Sequence, residues 1–555
     1  MVAVCGETDY YNRMFGKFVK KYRWLFLVLA GAALLRFSAI GWGFQFDRKL
    51  QYISSVHDDE RRELRAIGQM NPRKFDFNPD DAQREGPLHP YIISAVLLAS
   101  DRLGVVKLSL DENFYRQHPA EMKKLFIAGR LVSATFSVLA VFFVFLVGKR
   151  FFSNSVGLLS AVLMAVLPLE VVQSTYFRSY TLANFLLLGV LFASLRIAQK
   201  DAPTPWTGRI GAMLAGFAFS TRISMAPVLL LLPAAHVLCG MHAGENLKTA
   251  AWRATRFFFS STIWWFIFGV GITNPALIIE PKDVWRGMTA QLGYGGNFFD
   301  LLSRIKNIPL FLSSLAKGVT VPVAALMGIG IAFAARSRSA ARDMLWLGAA
   351  FAIPYGYAVF GASYATIPRF TMPLMPFVAL LWAYAAVKIF SSVKPGTFQA
   401  NMARACMAVG IAGIVLYPAL YSFAHARAAR QMHPLEQLAR YMERDIPPES
   451  SIGITWKHAH FKDIDFKKYP NVVELDDSLS GLERHMPTYL ILFPHTCCDF
   501  YAGAPPQHTY EPQLERYGYE EIRRFRGKDL SILGMTFSNR IDRQLEYEAR
   551  VYKHL

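Results

Sequence analysis

Residues 24–43 read WLFLVLAGAALLRFSAIGWG, and the reading of that run decides the fold. About twenty predominantly apolar residues in a helix cross the ~30 Å hydrocarbon layer of a bilayer. The run is too long for the core of a signal peptide and lacks a small-x-small cleavage site, so it is expected to be an uncleaved anchor. Arg13, Lys17, Lys20, Lys21 and Arg23 precede it. Basic flanks stay in the cytoplasm, which puts the N-terminus inside and residues 44–124 outside as a first outer loop.

Similar runs recur along the chain. They lie at 125–148, 156–173, 179–197, 257–275, 308–334, 345–361, 370–390 and 405–423. The stretch 208–240 is too long for one span and breaks at Ser220-Thr221-Arg222, so it reads as two short spans. Residues 87–103 either cross or lie along the outer surface. On the surface reading there are about eleven spans, and the basic connectors 149–150, 196–209, 241–256, 336–342 and 388–404 all fall inside; crossing would flip every one of them. The surface reading therefore stands. It places Arg178, Arg222 and Arg369 on the same face as the first outer loop.

The composition agrees: 555 residues are 53% hydrophobic and 14% aromatic. The expected fold is a polytopic α-helical membrane protein. The formal charge of +19 sits mostly in clusters between spans, so it marks orientation and implies no nucleic-acid partner. Cys5, Cys239, Cys406, Cys497 and Cys498 show no metal-ligand spacing. From about residue 430, charge and proline rise and no span remains. Residues 434–444 have helical periodicity, and Ser451–Thr455, Tyr489–Phe493 and Leu530–Leu533 read as short strands. The chain thus divides into a transmembrane part, 1–429, and a small outer-face α/β domain, 430–555.

The first outer loop contains His57-Asp58-Asp59-Glu60. Alone, this reads equally as a helix opening with its cap. Arginines shift the balance. Arg130 and Arg178 lie near outer span ends, Arg222 between two short spans, and Arg369 in Pro368-Arg-Phe-Thr-Met-Pro373-Leu-Met-Pro376. Any one of them could be a snorkelling side chain. Several on the face that carries the acids suit an anionic ligand, because guanidinium clamps phosphate bidentately. An acid beside a phosphate clamp suits transfer from a lipid-phosphate sugar: the acid takes the acceptor hydroxyl's proton and the arginines stabilise the departing phosphate.

In their order these residues resemble the GT-C glycosyltransferases that use polyprenyl-phosphate sugars, namely the protein O-mannosyltransferases and the lipid A aminoarabinose transferase group. That family's first-loop His-Pro-Asp-Glu corresponds to His57-Asp58-Asp59-Glu60. Its Asn-Pro and Pro-Leu elements correspond to Asn71-Pro72 and Gly86-Pro87-Leu88-His89-Pro90. Gly129-Arg130-Leu131 resembles its "ARL" opening, and Ser174 to Leu182 resembles its Ser-x-x-x-Arg-x-Tyr-x-Leu motif. Thr221-Arg222 stands for its Thr-Lys turn, and Arg369-Phe370 with Pro373 and Pro376 for its Arg-Tyr-x-x-Pro-x-x-Pro element. The chain departs from the pattern in three places: Asp58 replaces a proline, the second motif has no Asp, and Glu85-Gly86 stands where a basic residue is common.

The resemblance implies Asp59 as general base, with Glu60 orienting it or touching the acceptor or sugar. It implies Arg222, Arg369 and Arg178 on the donor phosphate, and His57, Asp58, Arg130, Tyr180 and His89 lining the pocket. Transfer would be inverting. The expected partners are a polyprenyl-phosphate sugar, membrane lipids and a lipid, glycan or protein acceptor, at the outer face of a bacterial cytoplasmic membrane. No cofactor is called for, and a divalent cation is compatible with the carboxylates. A flippase of lipid-linked anions would call for repeats and midplane charges, which the sequence lacks; a non-catalytic assembly protein is the other alternative. His458, His460, Asp463 and Asp465, and His495 near Cys497-Cys498, read as loop residues.

Overall fold

The computed structural model describes residues 22–47, 52–55, 57–71, 74–79, 85–200, 204–293, 300–359, 367–431, 433–454, 469–475, 479–493, 511–526, 530–533, 535–537 and 548–555. His458, His460, Asp463, Asp465, His495, Cys497, Cys498 and Pro72 lie outside them.

The anchor is helix α1 (22–37). After it come the hairpin β1 (Phe44–Asp47) and β2 (Tyr52–Ser55) and helix α2 (Asp58–Gln69), capped when the His57 ring accepts the Asp59 N–H. Helix α3 (Leu88–Arg102) has 15 residues, about 22 Å at 1.5 Å per residue, which is short for a ~30 Å crossing. Helix α4 (Glu112–Gln117) leads to α5 (Pro119–Phe151), which opens with a proline in its first turn, where a missing N–H costs nothing.

Helices α6 (Asn154–Val166) and α7 (Pro168–Ser174) meet at a 57° bend, because Pro168 cannot supply the N–H that would continue α6. Helices α8 (Tyr180–Ala198) and α9 (Pro205–Thr221) follow. Arg222 is extended (φ −153°, ψ 123°) and interrupts the run before a 3-10 turn, Ile223–Leu230, that holds Pro227 and leads into α10 (Leu231–His242). Helices α11 (Leu247–Phe257) and α12 (Ile263–Thr273) form one span through a π turn. Helices α13 (Ala276–Ile279), α14 (Pro281–Gly293) and α15 (Leu301–Lys306) make up the next connection.

The apolar run 308–334 departs from the straight span expected of it. Helices α16 (Ile308–Val319) and α17 (Val321–Arg336) turn by 110° at Thr320, whose φ is +79°. A β-branched residue there is strained; Lys317, Gly318 and Pro322 beside it interrupt the apolar run. Helix α18 (Ala340–Val359), a proline-rich 3-10 turn Pro368–Leu374, α19 (Met375–Ser392) and α20 (Phe398–Ala428) complete the bundle. Among the described residues, six helices are long and apolar enough to cross a membrane, or up to eight if each bent pair is one span. Helices α1, α9 and α18 lie where the sequence places the remaining spans.

The main core joins α1, α5, α6, α8, α9, α10 and α16–α19. Helices α5 and α6 touch backbone to backbone at Gly148 and Gly157: a Cβ on Gly148 would lie 2.6 Å from the Gly157 Cα. The C-terminal region pairs helix α21 (Pro434–Asp445) with a five-stranded mixed sheet. Its strands are β3 (Ile452–Ile454), β4 (Val472–Glu474), β5 (Tyr489–Leu492), β6 (Tyr519–Arg526) and β9 (Glu548–His554), in the order β4-β3-β5-β9-β6. A small hairpin, β7 (Leu530–Ile532) with β8 (Met535–Phe537), packs Phe537 on Tyr417 and Tyr421 of α20.

Candidate active site

Asp59 sits in the first turn of α2 with a side chain that remains 20% exposed. Arg178 pairs with it through Nη1. Arg62 reaches it at 3.2 Å and Arg369 at 3.8 Å. Three distant segments thus converge on one carboxylate: α2, the turn between α7 and α8, and the 3-10 turn before α19.

A second carboxylate completes the group. Glu85 accepts Arg62 Nη2 at 2.5 Å and Arg222 Nη1 at 3.1 Å, with Arg178 Nη2 at 3.9 Å. Its position is fixed by backbone. The Ile223 N–H donates to the Glu85 carbonyl at 3.2 Å, so the loop lies on the chain break at Arg222. Gly86 has a φ of +121°, and a Cβ there would lie 2.8 Å from the Ser220 carbonyl carbon. Only glycine fits that approach. The sequence shows Glu85 merely as an acid beside a glycine; its role comes from this docking.

Tyr180 is a platform for the cations. Its buried ring has the Arg222 guanidinium 4.0 Å and the Arg178 guanidinium 5.4 Å from its centroid. Arg222 also donates to Ser179 Oγ at 3.1 Å. His57 lies edge-on to Tyr176, with its Nε2 3.4 Å from Arg178 Nη1.

Glu60 and Arg130 stand behind this group. Both are fully buried. Arg130 holds Glu60 by Nε at 2.8 Å and Nη2 at 2.6 Å and donates Nη1 to the carbonyls of Ile40 and Trp42. Glu60 also accepts Ser55 Oγ–H and the Phe177 N–H. Glu60 is therefore enclosed on every side by protein in the turn that carries Asp59. His89 is buried against Phe177, with Nδ1 3.6 Å from Glu63 Oε2. Asp58 opens α2, and its side chain lies outside the described residues.

The electrostatics follow from these contacts. Burial opposes ionisation of Asp59, but Arg178, His57, Arg369 and Arg62 overcome it and hold the carboxyl well below the usual carboxylate range. Burial also opposes Glu85, yet Arg222, Arg178 and Arg62 prevail over it and over Asp59, and bring its carboxyl down to about 2. Glu60 is lowered too, its burial outweighed by the charge and hydrogen bonds of Arg130. Burial pushes His57 down to about 4, so its ring is neutral at pH 7. Among the described residues no three His, Cys, Asp or Glu side chains gather as a metal site; arginine supplies the positive charge. What results is a partly open carboxylate among guanidinium groups, able to bind an anion and accept a proton.

No match was found among curated proteins. Among solved structures, the archaeal oligosaccharyltransferase AglB of Archaeoglobus fulgidus, in complex with an inhibitory peptide and a dolichol-phosphate, gives a TM-score of 0.48 at 14% identity, over 90% of this chain and 73% of that one. ArnT of Cupriavidus metallidurans bound to undecaprenyl phosphate gives 0.45 at 14% identity, over 96% and 98%. The arabinofuranosyltransferase AftD from Mycobacteria gives 0.34 at 14% identity, over 96% and 41%. Residues 122–265, which hold Arg130, Arg178, Tyr180 and Arg222, match the family model described as dolichyl-phosphate-mannose-protein mannosyltransferase, and over that segment the match bears out the resemblance read from the motifs.

Proposed function

We propose that this chain is a membrane glycosyltransferase that moves a sugar from a polyprenyl-phosphate donor to a hydroxyl of a lipid, glycan or protein. One observation carries the reading: Arg62, Arg178, Arg222 and Arg369 converge on Asp59 and Glu85 at the end of an apolar bundle. Four guanidinium groups against two carboxylates leave an excess of positive charge. A phosphate leaving group gains negative charge as its bond to sugar breaks, so the field is aimed at the transition state.

Asp59 is the general base. It takes the acceptor hydroxyl's proton as that oxygen attacks the anomeric carbon, and the bond to the phosphate oxygen breaks on the opposite side. The lipid phosphate keeps the bonding pair, and the configuration inverts. While Arg178 pairs with it, Asp59 is a weak base. A donor phosphate competes with Asp59 and Glu85 for the arginines, and in capturing them it raises the basicity of Asp59 at the moment a base is needed. Tyr180 keeps Arg222 and Arg178 at a fixed height. The site faces outward across a bacterial cytoplasmic membrane, with the N-terminus inside and residues 430–555 forming an outer α/β domain.

Mass spectrometry of lipid and glycoprotein fractions from cells with and without the protein tests this reading. A sugar modification that disappears with the protein, and returns with the wild-type chain, is the expected result. Identical fractions would contradict it.

A further inference from the structure

Behind the site runs a second polar network that the proposed chemistry does not use. Glu170, Ser137, Asn184 and Arg36 are all fully buried among apolar helices. Ionisable groups there are costly to bury, and such cost is usually tied to function.

The network begins at a chain break. Pro168 has no N–H, so the carbonyls at the end of α6 lose their helical donors. Arg36, from α1, replaces those donors: its Nη1 donates to the Ala165 carbonyl at 2.9 Å and its Nη2 to the Met164 carbonyl at 3.2 Å. Its Nε donates to Ser137 Oγ at 2.7 Å, and Ser137 donates on to Glu170 Oε2 at 3.3 Å. Asn184 Nδ2 donates to Glu170 Oε1 at 2.5 Å and to the Met372 carbonyl at 3.1 Å.

Three members of this chain of bonds lie on segments that bear or lead to a site residue. Glu170 is on α7, which leads into the turn of Arg178. Asn184 is in α8, which opens with Tyr180. Met372 is in the 3-10 turn that carries Arg369. We infer that Glu170 is a positioning residue for the donor phosphate, acting through Asn184 to hold the Arg178 and Arg369 turns at a set spacing. This rests on the donor reading above. A bent pair of short helices and a 3-10 turn have few backbone bonds to fix their mutual distance, and the Glu170–Asn184–Met372 bridge supplies that constraint. A general packing role would not depend on acceptor oxygens at Glu170. This one does, and the difference can be measured.

The test uses the full chain in nanodiscs and reads two quantities: binding of undecaprenyl phosphate, and the split between donor KM and kcat. Loss of one buried hydrogen bond at this link is expected to weaken binding about tenfold in Glu170→Ala and Asn184→Ala. Donor KM should rise in parallel while kcat at saturating donor holds. Glu170→Gln keeps an acceptor for Asn184 and a partner for Ser137, and is expected to stay within about twofold of wild type. Wild-type binding in Asn184→Ala overturns the inference even if Glu170→Ala does not fold. Equal losses in Glu170→Gln and Glu170→Ala also overturn it. A wild-type chain that fails to bind undecaprenyl phosphate would instead strike the donor reading.

Discussion

Arg130 and Glu60, 70 residues apart in sequence, form a two-pronged ion pair with both side chains fully buried. The pair ties α5 to the first turn of α2, and through the Ile40 and Trp42 carbonyls it also ties down the turn that follows α1. Removing one partner leaves an uncompensated buried charge. Arg130→Met is therefore expected to cost about 3–5 kcal/mol of stability, read as a lower thermal midpoint and a reduced yield of folded protein. An unchanged midpoint would mean that the pair does not hold these segments together.

Arg222 and Glu85 should respond with opposite signs. A charge-assisted bond to the donor phosphate contributes about 1.5–3 kcal/mol, so Arg222→Ala and Arg369→Ala are expected to raise donor KM roughly ten- to a hundredfold. Arg222→Lys should recover only part of that, because a point charge lacks the planar fork that lies over Tyr180. Glu85→Gln removes a competitor for the same arginines and should lower donor KM. A raised donor KM in Glu85→Gln would show that its charge assists binding.

The pH dependence has a defined sign. Asp59 must be ionised to act, and in the free protein its carboxyl is held well below the usual carboxylate range. The profile of kcat/KM reports the free protein, so its acid limb should lie below about pH 4. The limb of kcat should lie higher, since bound donor phosphate diverts Arg178 and Arg369. An acid limb of kcat/KM at or above about pH 5 is incompatible with this pairing. Stability follows the same rule. What Asp59 and Glu85 contribute is fully present above their unfolded values near 4 and is lost as pH falls through their depressed folded values.

Much of this was legible in the sequence. Long apolar runs locate the helices, and the overlong stretch 208–240 forecasts the break at Arg222. The order of Asp59, Arg178, Arg222 and Arg369 foreshadows their convergence, because charge placement puts all four on one face. Other features were not read from it. Glu85 enters the site only because Gly86 lets the loop press on Ser220. The grip of Arg130 on Glu60 is a long-range contact with no local periodicity. The turn at Thr320 falls inside the run 308–334 read as one span, although Lys317, Gly318 and Pro322 interrupt the apolar residues around it. In the C-terminal region, strands β6 and β9 went unread because charged residues such as Arg523, Arg524 and Lys553 blur the alternation that marks a strand.

Topology can be tested apart from chemistry. Leu110 is 99% exposed on the connection after α3, and Arg338 is exposed between α17 and α18. With the native cysteines replaced, Leu110→Cys is expected to label with an impermeant thiol reagent from outside intact cells, and Arg338→Cys only after lysis. Labelling of both from outside would overturn the assignment of faces.

The most direct test of the central claim is the transfer rate of Asp59→Asn with a polyprenyl-phosphate sugar. The amide keeps the shape of the side chain, and the His57 cap on the Asp59 backbone N–H does not involve it. Removing a general base is expected to lower kcat by about 10²–10⁴ at unchanged protein level. Transfer at the wild-type rate would show that Asp59 is not the base.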